Sequence, residues 1–201
     1  QTKRRMRAQL QAFEADVALN WMSRAARFCP SGAWTNAARL GGYYSLKYYQ
    51  QCQAFVGNTE GICDYLRKQG VPGERVHYIP NFIDERPLTA DDATEFPATK
   101  REDAPVLLAA GRLHRNKGFD VLIEALCAVP SATLWLAGDG PERVNLAHLA
   151  ERLGVGDRIE FLGWQDDLRP YFQRADVFVC SSRIEPLGNI VLEAWRHGCA
   201  L

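Results

Sequence analysis

The stretch Val106-Leu107-Leu108-Ala109-Ala110, continued by Gly111-Arg112-Leu113-His114-Arg115-Asn116-Lys117-Gly118 and Phe119-Asp120-Val121-Leu122-Ile123-Glu124-Ala125-Leu126, decides the fold. Its first five residues are apolar throughout, which suits a strand buried on both faces of a parallel sheet. Phe119, Leu122, Ile123 and Leu126 then fall at i, i+3, i+4 and i+7, one apolar stripe along a helix. The unit recurs downstream. Apolar runs at Thr133–Ala137, Ile159–Leu162 and Val177–Cys180 are separated by helix-like segments. One of these is predicted to start at Pro141, a residue favoured at the first helical position, and to stop near Gly154; another runs from near Asn189 to near Gly198. Strand, crossover helix and strand, repeated, imply a doubly wound α/β domain.

Working outward, the segment from Phe82 to Pro105 carries Pro87, Pro97 and Pro105, many charges and little apolar periodicity, so it reads as a linker. Upstream, Val17–Trp21, Ala33–Arg39, Ala54–Gly57 and Arg75–Ile79 read as strands, and Ile62, Tyr65 and Leu66 mark a helix that Gly70 stops. Four strands with so little helix make an incomplete α/β domain. The expected organisation is therefore 1–84, an interdomain linker at 85–105, and 106–201. The chain begins with Gln1 and stops at Leu201, just as an apolar run resumes, so both ends read as cuts. A strand lost there would leave a sheet edge exposed, and the stretch alone is expected to be poorly soluble.

Composition narrows the function classes. The chain has 201 residues, 47% of them apolar, enough for one sizeable core or two small ones. Twenty-four Lys and Arg balance 24 Asp and Glu, so no overall field favours nucleic acid. The six cysteines are scattered without a C-x-x-C pair or nearby histidines, and read as small core residues in a reducing compartment. No run approaches the roughly 20 apolar residues of a spanning helix, and no signal-peptide pattern opens the chain. A cytoplasmic protein is expected. Lys3, Arg4, Arg5 and Arg7 lie on a predicted helix, for which a solvated face and contact with an anionic membrane surface are the two readings.

Three loops could carry chemistry, because ligands in open α/β sheets sit beyond the carboxyl ends of the strands. In Gly111–Gly118, Arg112 and Lys117 supply positive charge ahead of a helix start, which suits a phosphate or diphosphate; a solvated basic loop is the alternative. The string is not a P-loop, since Gly118 rather than Ser or Thr follows Lys117. Gly138-Asp139-Gly140-Pro141 fails the dinucleotide fingerprint at Arg143 and reads as a turn that shapes a cleft. In Glu185-Pro186-Leu187-Gly188-Asn189-Ile190-Val191-Leu192-Glu193, Pro186 and Gly188 hold Glu185 in the loop while Glu193 sits about one turn inside the helix. Backbone amides at Leu187, Gly188 and Asn189 could then hold phosphate while the two carboxylates accept hydroxyl donors. Two solvent-facing glutamates favoured by the helix dipole are the plain alternative.

The order of these pieces resembles the retaining GT-B glycosyltransferases of family 4, the glycosyl transferases group 1. The likeness rests on Gly111-Arg112-Leu113 with Lys117-Gly118, then Gly138-Asp139-Gly140-Pro141, Phe161-Leu162-Gly163, and two glutamates spaced E-x7-E. Val56-Gly57-Asn58-Thr59 through Ile79-Pro80-Asn81-Phe82-Ile83-Asp84 also looks like the end of that family's acceptor domain. The resemblance implies a GT-B fold of two Rossmann-like domains, with the amino-terminal one incomplete and the carboxyl-terminal one short of its last strands. It implies that Arg112 and Lys117 bind the donor diphosphate, Glu193 the ribose and Glu185 the hexose hydroxyls at the reacting carbon, with Leu187, Gly188 and Asn189 completing the site. Leu162 would help to floor the base. The implied activity is transfer of a sugar, with retention and without metal or cofactor, from a nucleoside-diphosphate sugar to a saccharide or lipid-linked acceptor, as in cell-surface polysaccharide or glycolipid synthesis. The sequence departs from the family at Phe82, where a glycine is usual, and shows no counterpart of its amino-terminal glycine-rich loop and acceptor-domain histidine. His77, His114, His148 and His197 are expected in structural or solvent roles. The alternatives are a nucleotide-sugar-binding fragment without catalysis and an NAD-dependent oxidoreductase, the latter disfavoured by the failed glycine fingerprint.

Overall fold

Strands whose residues alternate and strands apolar throughout need different cover, and the chain contains both. The computed structural model describes residues 1–83, 96–97, 104–185 and 188–201, and the chain divides into two units, Gln1–Phe82 and Ile83–Leu201. Most of the expected linker at 85–105 lies outside the described residues.

The first unit runs α1 (Thr2–Ala12), β1 (Val17–Trp21), α2 (Met22–Phe28), β2 (Thr35–Leu40), β3 (Ala54–Gly57), α3 (Glu60–Lys68) and β4 (Val76–Tyr78), with the strands parallel in the order β1-β2-β3-β4. In β1 burial alternates, with Ala18 and Asn20 inside and Val17, Leu19 and Trp21 exposed. The buried Asn20 amide donates to the carbonyls of Ala18 and Ala37, which answers the cost of placing it in the sheet. Asn36 does the same in β2: its Nδ2 donates to Pro30 O, and its Oδ1 accepts from Trp34 Nε1 and Cys29 Sγ. Helix α3 starts where the Thr59 hydroxyl accepts the Ile62 N–H, and buries Ile62, Cys63 and Leu66 against Ala38, Leu40 and Phe55. Helix α2 was not legible in the sequence because it follows β1 with no turn residue between, the chain reversing at Met22 (φ 66°).

The second unit runs β5 (Val106–Ala110), α4 (Phe119–Leu126), β6 (Thr133–Ala137), α5 (Arg143–Arg152), β7 (Ile159–Gly163), α6 (Arg169–Arg174), β8 (Val177–Phe178) and α7 (Asn189–Arg196). All four strands are parallel in the order β7-β6-β5-β8, so the winding reverses between β5 and β8. Both faces are covered. Ala109, Leu134 and Leu136 pack with Phe119, Leu122, Ile123 and Leu126 of α4 and with Leu146 and Ala150 of α5. Their strand neighbours Val106, Leu108, Ala110, Trp135 and Ala137 pack on the other side with Tyr171 and Phe172 of α6 and Ala194 of α7. Period-two side chains in a doubly covered sheet explain why every position of β6 is buried.

Several expectations need correction. Helix α5 starts at Arg143, since Pro141 belongs to the turn before it. Helix α6 is six residues long, too short for a period of 3.6 to show in sequence. Cys29, Cys52, Cys63 and Cys199 are buried, but Cys127 and Cys180 are exposed: Cys127 lies one position past the buried stripe of α4 and Cys180 past the end of β8. Burial pushes the Cys52 thiol up to about 11. Among the described residues no helix is long and apolar enough to cross a membrane.

Candidate functional site

The loops that leave β5, β6 and β7 are fastened to one another by backbone. Gly111 N donates to Ala137 O at 3.0 Å, Leu113 N to Asp139 O at 2.9 Å, and Glu142 N to Leu113 O at 3.0 Å, while Gly138 N reaches Gly163 O at 2.6 Å. Such close approach leaves no room for side chains. At Gly138 (φ 126°) a Cβ would collide with the Gly111 carbonyl, and at Gly118 (φ 65°) with the Ser181 carbonyl. The Gly138-Asp139-Gly140-Pro141 string is thus a turn that locks adjacent loops together.

Between these loops and the segment leading into α7 lies a cleft of about 370 Å³, within the range of small-molecule sites. It sits at the switch point between β5 and β8, where ligands of doubly wound sheets are received. Arg112, Lys117, Glu185, Gly188 and Asn189 all line it. The exposed Arg112 side chain comes from the β5–α4 loop. The Lys117 ammonium is bound to the Glu185 carboxylate, which also accepts the Ser182 hydroxyl at 3.3 Å. Gly188, the residue ahead of α7, has no side chain with which to cap it, and Gly188, Asn189 and Ile190 bring the start of the helix to the cleft wall. A Cβ on Gly188 would press on the Glu185 side chain at 3.1 Å, which makes the absence of a side chain there part of how Glu185 is seated. A cation pair, amides at a helix start and a carboxylate can together hold a phosphate beside a hydroxyl-bearing group.

Glu193 is placed differently. It lines an adjoining hollow of about 350 Å³ with Asp166, Asp167, Arg169 and His197, and that hollow meets the cleft at Gln165 and Leu168, which line both. Burial pushes the Glu193 carboxyl above the usual glutamate range. Leu187 lies outside the described residues. Leu162 is half-buried, packs against the core that holds Tyr171 and Phe172, and is not among the residues that line the cleft, though its carbonyl accepts the side chain of Gln165, which is.

Sequence reasoning missed the β7–α6 loop. Trp164 is 74% exposed at the cleft, its indole N–H donated to Asp166 at 2.8 Å, and Gln165 is held by Leu162 O and the Tyr171 hydroxyl. The available signal was position alone: Gly163-Trp164-Gln165 follows the carboxyl end of a parallel strand. Of the histidines in the second unit, none is among the residues that line the cleft, and His197 lines the adjoining hollow with Glu193. His114 Nδ1 accepts the Asn116 N–H, and His197 stacks on Phe172. Among the described residues no group of three or more His, Cys, Asp and Glu side chains is arranged to hold a metal ion.

Comparison with known proteins bears directly on this arrangement. Residues 104–201 match the family model described as glycosyl transferases group 1. The chain is 42% identical over 186 residues to the lipopolysaccharide core biosynthesis glycosyltransferase LpsE of Rhizobium meliloti, covering 91% of this chain and 54% of the relative. It is 39% identical over 200 residues to LpsD of the same organism, covering 98% of this chain and 57% of the relative. The chain thus spans about half the length of these curated relatives. In structure it resembles the HepE protein of Anabaena in complex with UDP (TM-score 0.75, 21% identity, 96% of this chain and 61% of that one). It also resembles the sucrose-phosphate synthase of Thermosynechococcus elongatus (TM-score 0.80, 19% identity, 98% and 58%). The fold is the parallel-sheet α/β arrangement of the GT-B type. Through residues 104–201 the chain belongs to the glycosyl transferases group 1.

Proposed function

We propose that the second unit binds a nucleoside-diphosphate sugar and that the protein transfers its sugar, with retention of configuration, to a saccharide or lipid-linked acceptor in the assembly of lipopolysaccharide core or a related surface glycan. The observation that carries this reading is the meeting of Arg112, Lys117, Glu185 and the start of α7 at the switch-point cleft. In it, Arg112 and Lys117 neutralise the diphosphate as its charge develops, with the amides of Leu187, Gly188 and Asn189 adding fixed dipoles. Glu185 accepts hydroxyls of the hexose, and Glu193, reached through the groove past Gln165 and Leu168, accepts those of the ribose. No step requires a metal, since the basic pair and the helix start carry the charge. Residues 1–84 form part of the acceptor side, 85–105 the linker and 106–201 the donor side.

The relatives' printed role in lipopolysaccharide core biosynthesis supports the acceptor class. On the acceptor side, the exposed Lys3, Arg4, Arg5 and Arg7 of α1 support peripheral contact with the inner face of the cytoplasmic membrane, where a lipid-linked acceptor would lie.

The test is donor consumption by the natural polypeptide that carries residues 1–201, supplied with UDP-, GDP- and ADP-hexoses and a core oligosaccharide, with the product's anomeric configuration read by NMR. Turnover of one donor with retained configuration is expected. An inverted product would refute retention, and no turnover of any donor would refute the transferase reading.

A further inference from the structure

Arg183 has no part in the roles assigned above, yet it makes more bonds across the switch point than any residue that has one. Its guanidinium grips the Asp120 carboxylate with both ends, Nη1 to Oδ1 and Nη2 to Oδ2, each at 2.8 Å. The same Nη1 donates to the Arg115 carbonyl at 2.7 Å, and the Arg183 backbone N–H donates to the Asn116 carbonyl at 2.8 Å. Two residues earlier, the Ser181 hydroxyl donates to the Lys117 carbonyl at 2.9 Å. Every one of these bonds joins the loop after β8 to the loop after β5 or to the start of α4.

The strands themselves do little to hold those loops together. β5 and β8 pair through Leu107–Val177 and Leu108–Phe178, flanked by backbone bonds from Asp176 N to Val106 O at one end and from Val179 N to Leu108 O at the end nearer the cleft. Beyond it the two chains diverge around the cleft. Lys117 lies two residues after the carbonyl that Arg183 grips, and Glu185 two residues after Arg183 itself. The separation of the phosphate-binding and hexose-binding groups is therefore governed by this joint.

We infer that Arg183, held by Asp120, is a positioning residue for sugar transfer, which fixes the Glu185 loop against the Lys117 loop across the switch point so that donor phosphate and hexose are met at the spacing transfer needs. The inference rests on the donor-site reading given above. Its physical basis is that the two side chains are 39% and 43% exposed, where an ion pair contributes little to stability, whereas a planar two-point grip contributes direction. Misplacement of catalytic groups by about 1 Å can cost roughly 100-fold in rate. Asp120 is held below the usual carboxylate range chiefly by the Arg183 hydrogen bonds, so the grip persists through neutral pH.

The test compares Arg183→Ala, Arg183→Lys, Asp120→Asn and the Arg183→Ala/Asp120→Asn double variant with the wild type, measuring kcat, donor KM, the Kd of the nucleoside diphosphate and the melting temperature. Arg183→Ala is expected to lower kcat by about 10- to 100-fold with a smaller rise in KM and an unchanged melting temperature. Arg183→Lys, which keeps the charge without the planar fork, should recover only part of the loss, and the double variant should match Arg183→Ala. Wild-type kcat in Arg183→Ala would overturn the inference, as would a loss that tracks a fall in melting temperature. Failure of the wild type itself to bind any nucleoside diphosphate would instead overturn the donor-site reading.

Discussion

The Lys117 ammonium and the Glu185 carboxylate, one from each side of the switch point, are bound to each other at the wall of the cleft. A donor diphosphate claims the first and a hexose hydroxyl the second, so binding exchanges this ion pair for two charge-assisted contacts. The exchange predicts opposite effects of one substitution on two ligands. Glu185→Gln frees Lys117 and should tighten binding of the bare nucleoside diphosphate, by at most about fivefold for a partly exposed pair. The same change should cut sugar transfer by at least about 100-fold. Calorimetry with the nucleotide and turnover with the sugar nucleotide check the two arms, and equal weakening of both would count against the assigned roles.

A second prediction concerns the interlocked loops. Gly138→Ala places a Cβ against the Gly111 carbonyl at a φ that side chains rarely adopt. Relief needs movement of the β5–α4 loop, so the variant should lose about 1–3 kcal/mol of stability together with nucleotide binding. Urea unfolding and calorimetry on the same preparation measure both. A variant as stable as the wild type would show that the loops are not held as described.

A third concerns pH. Burial raises the Glu193 carboxyl, so the folded protein holds this proton more tightly than the unfolded chain does. That contribution to stability is complete below the ordinary glutamate value and is lost as pH climbs through the raised folded one; above it the charge is a net cost. Glu193→Gln should therefore melt higher than the wild type at neutral pH, with the gap closing as the pH falls. Nucleoside-diphosphate affinity should drop about tenfold, the loss of one hydrogen bond to a charged group. Melting curves across pH 4 to 8 and calorimetry at pH 7 provide the check.

A fourth addresses the basic face of α1. Replacing Lys3, Arg4, Arg5 and Arg7 with glutamine should abolish sedimentation with phosphatidylserine vesicles, at about 1 kcal/mol of binding per basic residue, and leave nucleotide affinity unchanged. Equal sedimentation of variant and wild type would remove the case for membrane contact through this helix.

What the sequence made legible follows from what it had to bury. Doubly covered strands such as β6 are buried at every position and carry no charge, with Thr133 as the polar residue at its start, and α4 shows its stripe at Phe119, Leu122, Ile123 and Leu126, so the parallel sheet of the second unit could be read directly. The junction at Met22 and the short α6 carry no such pattern. At the site, Arg112, Lys117 and Glu185 were nameable because charged residues beside strand ends and helix starts are conspicuous. Trp164 and Gln165 were not, since their place depends on how β7 aligns with β6, and neither did sequence show that Arg183 would reach Asp120. Both depend on contacts between residues far apart in the chain.

The central claim, that the switch-point cleft receives a nucleoside diphosphate through its basic pair, is tested most directly by calorimetric titration of UDP, GDP and ADP, with NAD as a control, into the wild type and the Arg112→Ala/Lys117→Ala variant. The account predicts that one nucleoside diphosphate binds the wild type and that the variant loses at least about 100-fold in affinity, as expected from two charge-assisted contacts. Binding of NAD alone, or a variant that binds the nucleotide as tightly as the wild type, would contradict it.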